Sequence, residues 1–565
     1  MAEPVAKMPG IAPPRPPSKA VRTNVDATGE ATNSLTPEIV IALCGPIGSP
    51  LHEAAAQIEN ALNEFGYVTE KLRLSEVIRL NASEVDKSID RTSKFTEINS
   101  LISAGDALRE RYGSDVLAKL AIAKIGGDRT KQYGEFSDRA NESETLAIRR
   151  ITAQRVCHVI DSVKNSSELD LLRLIYGDAL FAVGVFSPLE IRTKNLERPG
   201  ALQAAEVERL IDVDSGEEFA HGQSVRDTFP RCDFFLRVDH SVVGPSEPQA
   251  IAQLVEKLRR FFGLLFRTAV VTPTLEETAM YAAASAARNS ACISRQVGAA
   301  VTSRSGELLS VGWNDVPRSG GGLYGKPPIS ISLMSAPEPE VLADERCFAQ
   351  TGAKCHNDEE KKTIAAMLVD SLIGSSILQP AQRDQALGTI LSDSRVKDLI
   401  EFSRAVHAEM HAILGAGRVG GDRVVGGRLF VTTYPCHSCA RHVVAAGISE
   451  VHYIEPYRKS LATRLHKDSL TESIEAKGKV RLLQFDGVAP RRFIDLFEAG
   501  QRKRNGVLRL DGKLAAVPST QVSLRAIPRL EEVVVAEIAS KQLKFPGLVA
   551  QEKTHDQIDE PKPAA

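Results

Sequence analysis

Four side chains in the second half of the chain could bind and use a metal ion. His407 and Glu409 stand two residues apart in "HAE", and Cys436 and Cys439 form the C-x-x-C of "PCHSC". One imidazole and two thiolates suit a zinc site with three protein ligands and a fourth position for water. Both cysteines are predicted to begin a helix, where the unpaired N–H groups favour thiolate over thiol. We therefore predict that His407, Cys436 and Cys439 hold one catalytic Zn²⁺.

Glu409 is the candidate for proton transfer at this site. Zinc lowers the pKa of a bound water, but another group must take the proton and deliver it to a leaving group. The pattern H-x-E…P-C-x-x-C is that of zinc deaminases, in which the glutamate is the general acid and base. Two alternatives to a catalytic zinc site with His407 as its imidazole ligand remain open. A C-x-x-C is also typical of structural zinc sites and redox pairs, and His437 could replace His407 as a ligand.

The elements around these residues predict how they meet. From residue 274 onward the sequence indicates a helix, a hairpin over "QVGAAVTSRSGELLSVGWND", an irregular insertion, and then helix, strand, helix and strand. The candidate ligands fall at helix N-termini beside the carboxyl ends of strands, a usual position for chemistry in an α/β layer.

The first half of the chain predicts a separate α/β domain. Short apolar runs such as "EIVIALCG" and "ALFAVGVFSP" alternate with amphipathic helices, which favours a doubly wound parallel sheet. We predict disordered tails at 1–36 and 546–565, an N-terminal domain at 37–266, a linker at 267–273 and a C-terminal domain with an extension at 274–545.

A glycine turn follows the first predicted strand, in "ALCGPIGSPLHE". Gly45, Gly48 and Ser49 precede a helix, as in a turn that cradles phosphate. The lysine that a Walker-type P-loop uses on the β- and γ-phosphates is absent. We therefore expect a P-loop-kinase-like domain that binds a nucleotide effector or serves as a scaffold, and does not transfer phosphate.

Composition bounds the classes of function. The chain has 565 residues, a formal net charge of −2 and eight cysteines. The chain lacks the surplus of basic residues that would indicate a DNA partner. It also lacks the run of 18 apolar residues that would indicate a membrane span. We expect a cytoplasmic protein.

Residues 274–470 resemble the deoxycytidylate deaminase branch of the cytidine deaminase superfamily. The stretches that carry the resemblance are "SACISRQVGAAV", "GWNDVP", "HAEMHAI" and "PCHSCARHVVAAGI". The resemblance implies a cytidine-deaminase-like α/β/α fold, zinc on the three predicted ligands and proton transfer by Glu409. It also implies sugar recognition near Asn314 and a phosphate contact at Arg295. Lys459 and Ser460, in "EPYRKSLATRLHKDSL", are further candidates for substrate phosphate.

The whole chain is similar to bacterial antiphage dCTP deaminases, which join a P-loop-kinase-like domain to a deaminase domain. The resemblance implies deamination of deoxycytidine nucleotides, dCTP and also dCMP, and depletion of dCTP during infection. It also implies a homo-oligomer and an inhibitory RNA or protein partner. The alternatives are a housekeeping dCMP deaminase and a polynucleotide cytosine deaminase.

A second, structural zinc is a weaker hypothesis. Cys347, Cys355 and His356 lie in the insertion and have suitable side chains, but a fourth ligand is not evident. A simple loop is the favoured interpretation.

Overall fold

The computed structural model describes residues 27–133, 155–197, 202–214, 224–325, 344–456 and 460–546. We divide the chain into the N-terminal unit (residues 27–266), the C-terminal unit (275–484) and the C-terminal extension (487–546). The two units each contain a sheet covered by helices.

The N-terminal unit contains six described strands and ten helices. The strands are β1 (Leu35–Thr36), β2 (Ile39–Cys44), β3 (Val68–Arg73), β4 (Val156–Asp161), β5 (Leu180–Phe186) and β6 (Phe234–Arg237). The helices are α1 (Ala27–Asn33), α2 (Leu51–Asn63), α3 (Leu74–Asn81), α4 (Lys94–Tyr112), α5 (Val116–Tyr133), α6 (Ser166–Tyr176), α7 (Leu189–Leu196), α8 (Ala204–Asp214), α9 (Val225–Thr228) and α10 (Glu247–Leu265).

The N-terminal sheet is parallel in the order β3-β4-β2-β5-β6. Every residue of β2 is buried, as its unbroken apolar sequence predicts for a strand covered on both faces. The predicted α/β class with a parallel sheet is therefore confirmed. The carboxyl ends of β2 and its neighbours β4 and β5 form one edge of this sheet, the edge at which α/β proteins usually place ligands.

The C-terminal unit contains the predicted hairpin and the candidate ligands. Its strands are β7 (Gly298–Thr302), β8 (Leu308–Trp313), β9 (Arg428–Thr433), β10 (Glu450–Glu455), β11 (Leu470–Thr471) and β12 (Val480–Gln484). Its helices are α11 (Leu275–Ala287), α12 (His356–Gly374), α13 (Arg383–Asp393), α14 (Ala408–Gly420), α15 (His437–Ala445) and α16 (Ala462–Leu465). The sheet order is β11-β12-β10-β9-β7-β8, with an antiparallel β7–β8 hairpin and parallel pairing from β9 to β11. The predicted hairpin is confirmed.

The C-terminal extension packs on the N-terminal unit, whereas the sequence analysis assigned it to the C-terminal domain. It contains β13 (Gly487–Val488), β14 (Lys503–Arg504), β15 (Val507–Leu508), β16 (Val522–Ser523), α17 (Phe493–Phe497) and α18 (Ile527–Ser540). β13 adds an antiparallel edge strand to β6 of the N-terminal sheet. α18 packs against α5, and its buried Val534 and Ile538 belong to the same apolar core as the α5 residues.

The prediction of a disordered segment through residue 36 is wrong for residues 27–36. Helix α1 and strand β1 lie there, and β1 pairs with β16 through Leu35–Ser523 and Thr36–Val522. Pairing with a strand nearly 500 positions later orders a Pro- and Ser-rich neighbourhood whose composition indicated a tail. The remaining residues of the two predicted tails, 1–26 and 547–565, lie outside the described residues.

The two units share a continuous apolar interface. Phe485 follows β12 and packs edge-on against Phe235 of β6, with ring centroids 5.9 Å apart. Glu277 of α11 is buried, pairs with Arg260 of α10 at 2.6 Å and accepts a hydrogen bond from the backbone N–H of Val488. Among the residues that the structure describes, no helix combines the length and apolar character needed to cross a membrane.

Candidate active site

The three predicted zinc ligands lie together where two helices begin. His407 immediately precedes α14, and Cys436 immediately precedes α15 at the end of the β9 connection. The Nδ1 atom of His407 is 3.4 Å from the Sγ atom of Cys436 and 3.3 Å from that of Cys439. The three ligand atoms lie within 4.8 Å of one another. This donor set of one imidazole and two sulfurs fits a zinc ion.

Electrostatics favour the ionised form of one cysteine. Hydrogen bonds from Cys439 and from His407 lower the pKa of Cys436 to about 4. The hydrogen bond to Cys436 raises the pKa of His407 to about 9. The backbone N–H of Cys439 also donates to the Sγ atom of Cys436 at 3.4 Å, as expected at a helix N-terminus. The negative charge on sulfur is therefore centred on Cys436, whereas the hydrogen bond to Cys436 and burial raise the pKa of Cys439.

His437, the alternative ligand, points elsewhere. Its Nε2 atom is 3.3 Å from the carboxylate of Glu401. Among the described residues the group that could hold a metal ion is formed by His407, Cys436 and Cys439, without His437. This arrangement favours His407 as the imidazole ligand.

Glu409 lies in the first turn of α14 beside the three ligands. Its side chain is buried, with 3% of its surface exposed. Burial raises the pKa of Glu409, and its carboxyl group lies within reach of Cys439. A buried carboxyl next to the ligand set, and outside it, can exchange a proton with a reacting group in the cavity.

A cavity of about 1160 Å³ opens onto this cluster. Both units line it, because Phe186, Leu189, Arg192 and Arg226 of the N-terminal unit face the cavity alongside His407 and the other C-terminal residues. None of these four residues was predicted from sequence to be part of the site. They belong to a different sheet from the ligands, and nothing in their spacing signals the contact.

Of the predicted substrate contacts, Asn314, Arg295 and Ser460 line the cavity. The Asn314 side chain donates to the Arg295 carbonyl at 2.8 Å and accepts from the Val297 N–H at 2.7 Å, so it also fixes the connection into β7. The Ser460 hydroxyl donates to the Pro435 carbonyl at 2.8 Å. Lys459 lies outside the described residues.

Arg295 extends toward the end of β10. Its guanidinium pairs with the carboxylate of Glu455, the last residue of that strand. Glu455 pairs in register with Thr433 of β9, and the candidate ligand Cys436 follows Thr433 by three positions. Arg295 therefore places a guanidinium group at the same cavity as the candidate zinc site.

Cys347, Cys355 and His356 also line the cavity. His356 bonds to Gln350 at 2.9 Å, and the Cys355 sulfur is 3.4 Å from the Ser294 hydroxyl. In the described part of the chain these three residues form no metal-binding group. The structure thus gives no support to a second zinc here.

The glycine turn of the N-terminal unit has a packing explanation. A Cβ atom on Gly45 would lie 2.3 Å from the Val185 carbonyl oxygen, and one on Gly48 would lie 2.7 Å from that of Arg192. Gly48 also has a φ of +83°, which favours glycine. Its carbonyl accepts a hydrogen bond from Asn195 at 2.8 Å. Gly45 therefore allows the turn to pack closely on β5, and Gly48 allows it to pack on α7, which carries Leu189 and Arg192 to the cavity.

The amides of this turn are partly used within it. The Ser49 N–H donates to the Pro46 carbonyl at 3.0 Å, and the Leu51 N–H donates to the Ser49 carbonyl at 2.9 Å. Nucleotide binding at Gly45, Gly48 and Ser49 stays a prediction.

Replacing Gly48 with alanine separates the two explanations. Because the new methyl group would meet the Arg192 backbone at a positive φ, we expect the free energy of unfolding to fall by more than about 1 kcal/mol. Urea denaturation measures this change. The control is Gly388→Ala, at a helical position of α13 with open space, where we expect no loss of stability. Unchanged stability together with lost nucleotide binding in the Gly48 variant would instead indicate a phosphate-binding turn.

Comparisons with known proteins agree with the chemistry of the cluster. Residues 273–455 match the family model of the cytidine and deoxycytidylate deaminase zinc-binding region. The chain is 32% identical over 125 residues to ComE operon protein 2 of Bacillus subtilis, which covers 22% of this chain and 59% of that protein. It is 40% identical over 55 residues to the deoxycytidylate deaminase of Enterobacteria phage T4, covering 10% of this chain and 28% of the relative. The chain thus spans less than two thirds of the length of these relatives.

Among solved structures, the dCMP deaminase of cyanophage S-TIM5 is 17% identical, with a TM-score of 0.20, and the match covers 38% of this chain and 100% of that one. A TM-score of that size does not establish a shared overall fold. Residues 273–455, which include the whole ligand cluster, are thus similar to the zinc-binding region of cytidine and deoxycytidylate deaminases.

Proposed function

We propose that the protein is a zinc-dependent deaminase that converts dCTP to dUTP, and dCMP to dUMP, with release of ammonia. The observation that carries this proposal is the cluster of His407, Cys436 and Cys439, with the buried Glu409 beside it, at the wall of a cavity of about 1160 Å³. Cavities of this order accommodate small-molecule ligands. The match of residues 273–455 to a deaminase zinc-binding region supports the same reaction class.

Zinc and the side chains around it have different roles in the proposed deamination. Zinc, when bound, is a Lewis acid that activates water for attack at C4 of the cytosine. Glu409 would take both protons of the attacking water in turn, passing one to ring N3 and one to the amino nitrogen. The C4–N bond then breaks, the amino group leaves as ammonia, and C4 keeps the oxygen as a carbonyl. The burial of Glu409 keeps its carboxyl out of bulk solvent, so its protons exchange with the reacting groups. Asn314 orders the connection that carries Arg295, and contact of Asn314 with the sugar is part of the proposal.

A substrate panel tests this function. We expect purified, zinc-loaded protein to release ammonia from dCTP and dCMP, and not from a cytosine-containing oligonucleotide. Ammonia release and conversion of the base are measured together. Turnover of dCMP without dCTP would indicate a housekeeping role in supplying dUMP. Deamination of the oligonucleotide alone would contradict the proposal.

The biological role that we propose is depletion of dCTP during phage infection. Its support is the resemblance of the whole chain to antiphage dCTP deaminases, together with a cavity that both units line. A nucleotide effector at the N-terminal unit, a homo-oligomer, an inhibitory RNA or protein partner and a cytoplasmic location stay predictions.

A further inference from the structure

The N-terminal unit contributes charged side chains to the cavity that contains the zinc ligands. Arg192 lies in α7, directly after the carboxyl end of β5, and Arg226 lies in α9. Both side chains face the same cavity as Glu409. The N-terminal unit is therefore part of the wall of the candidate active site.

Arg226 meets the C-terminal unit at one carboxylate. Its Nε atom is 3.8 Å from Glu455, the residue that also pairs with Arg295. That separation is too long for a hydrogen bond, so Glu455 attracts the Arg226 guanidinium through charge. Two guanidinium groups from two units thus converge on a single carboxylate.

The wider lining of the cavity is rich in arginine. Among the residues that the structure describes, seven arginine side chains and five carboxyl groups line it, and Glu455 and Asp344, outside the lining, pair with three of the arginines. Arginine forks match the oxygen geometry of phosphate, and a partly enclosed cavity focuses their field. Neither the zinc cluster nor the cytosine ring accounts for this concentration of arginine.

Arg192 is held in place by the glycine turn. Its guanidinium donates to the Ser187 carbonyl at 3.2 Å and to the Ile47 carbonyl at 3.3 Å. These bonds to the turn between β2 and α2 anchor the side chain at the carboxyl edge of the N-terminal sheet. The turn that resembles a P-loop in sequence therefore positions a cation at the cavity.

We propose that Arg226 and Arg192 bind the phosphate chain of the substrate, opposite Arg295, so that the N-terminal unit determines preference among phosphorylated forms. This inference rests on the proposed deamination of deoxycytidine nucleotides. Glu455 lies beside both Arg226 and Arg295. The N-terminal unit then serves substrate recognition, and needs no phosphoryl-transfer chemistry of its own.

Steady-state kinetics of Arg226→Ala test this assignment. We expect kcat/KM to fall about 10–100-fold for dCTP, because charge-assisted hydrogen bonds to phosphate are lost, and to change little for deoxycytidine, which carries no phosphate. Arg226→Lys should recover part of the loss, since lysine keeps the charge without the fork. The matched control is Arg231→Ala, because Arg231 pairs with Asp170 on the surface of the same unit and does not line the cavity.

Inorganic triphosphate provides a readout that does not depend on turnover. We expect the wild-type protein to bind it by calorimetry, and Arg226→Ala and Arg192→Ala to bind it more weakly, while Glu455→Gln retains binding. An equal fall in kcat/KM for deoxycytidine and dCTP, or unchanged triphosphate binding in both arginine variants, would overturn the proposal. Failure of the wild-type protein to release ammonia from any substrate would overturn the proposed function instead, and triphosphate binding would still decide the role of the arginines.

Discussion

Replacing Glu409 with glutamine is expected to lower ammonia release from dCTP and dCMP by at least about 100-fold, the scale of general acid–base catalysis. Glutamine has nearly the same shape as glutamate but cannot carry a proton between water and the leaving amino group. The glutamate is buried in the first turn of α14 and lies outside the ligand set, so the substitution leaves all three zinc ligands in place. Ammonia release at saturating substrate, with zinc content measured on the same sample, gives the result.

Glu401→Gln is the matched comparison for this variant. Glu401 also lines the cavity, but it pairs with His437 and 44% of its side chain is exposed, so we expect most of the turnover to remain. Substantial turnover by the Glu409 variant with zinc bound would contradict the catalytic assignment.

The Glu409 variant also tests the proposed biological role. Cells that carry it should lose both dCTP depletion and phage resistance. Resistance without depletion would separate the defence from the chemistry.

The cluster of candidate zinc ligands could be predicted from sequence because its information is local. His407 and Glu409 share one helix start, and Cys436 and Cys439 share another, so two short motifs specify all four side chains. The strand before the cysteine motif, β9, was also predicted from its apolar sequence. The distances between the two motifs then follow from parallel pairing of β9 and β10 and from packing of α14 on the hairpin.

The wall of the cavity could not be predicted because it depends on contacts between distant segments. Arg192 and Arg226 precede the ligands by about 200 positions, and an arginine in a helix has no pattern that marks it as facing another unit. The glycine turn shows that a sequence motif can also suggest a function where the structure shows a packing role. Gly45 and Gly48 read as a phosphate cradle, but the atoms closest to them are backbone oxygens of Val185 and Arg192.

The place of the C-terminal extension was missed for a related reason. β13 has two residues and follows β12 after only two more, so it has no periodicity of its own. Its partner is β6, and the buried contact that supports it comes from Glu277. Removal of residues 1–266, as a test of whether the N-terminal unit affects activity, would therefore also remove the partners of β13 and α18.

Replacing Arg129 with methionine is expected to lower the free energy of unfolding by about 3–5 kcal/mol, because it leaves buried carboxylates without a counter-charge. Arg129 of α5 donates to both oxygens of Glu38 at 2.7 and 2.9 Å and to Glu531 of α18 at 2.7 Å. Glu38 and Glu531 are both almost wholly buried. Urea denaturation followed by far-UV circular dichroism measures the change, and fluorescence of Trp313, the single tryptophan, reports the C-terminal unit separately.

One guanidinium serves two carboxyl groups here, and their pKa values diverge. Burial raises the pKa of Glu531, whereas at Glu38 the charge of Arg129 and the hydrogen bonds of His158 and Arg129 outweigh burial and lower the pKa well below its usual range. Adding Glu38→Gln and Glu531→Gln to the methionine variant removes the two buried acids that would lack a counter-charge. We expect the triple variant to recover much of the lost stability.

The control is Arg383→Met, whose exposed pair with Asp370 should contribute less than about 1 kcal/mol. A methionine variant no less stable than this control would mean that the network does not hold the extension on the N-terminal unit. A loss confined to circular dichroism, with the Trp313 transition unmoved, would mean that the two units unfold independently despite their shared cavity.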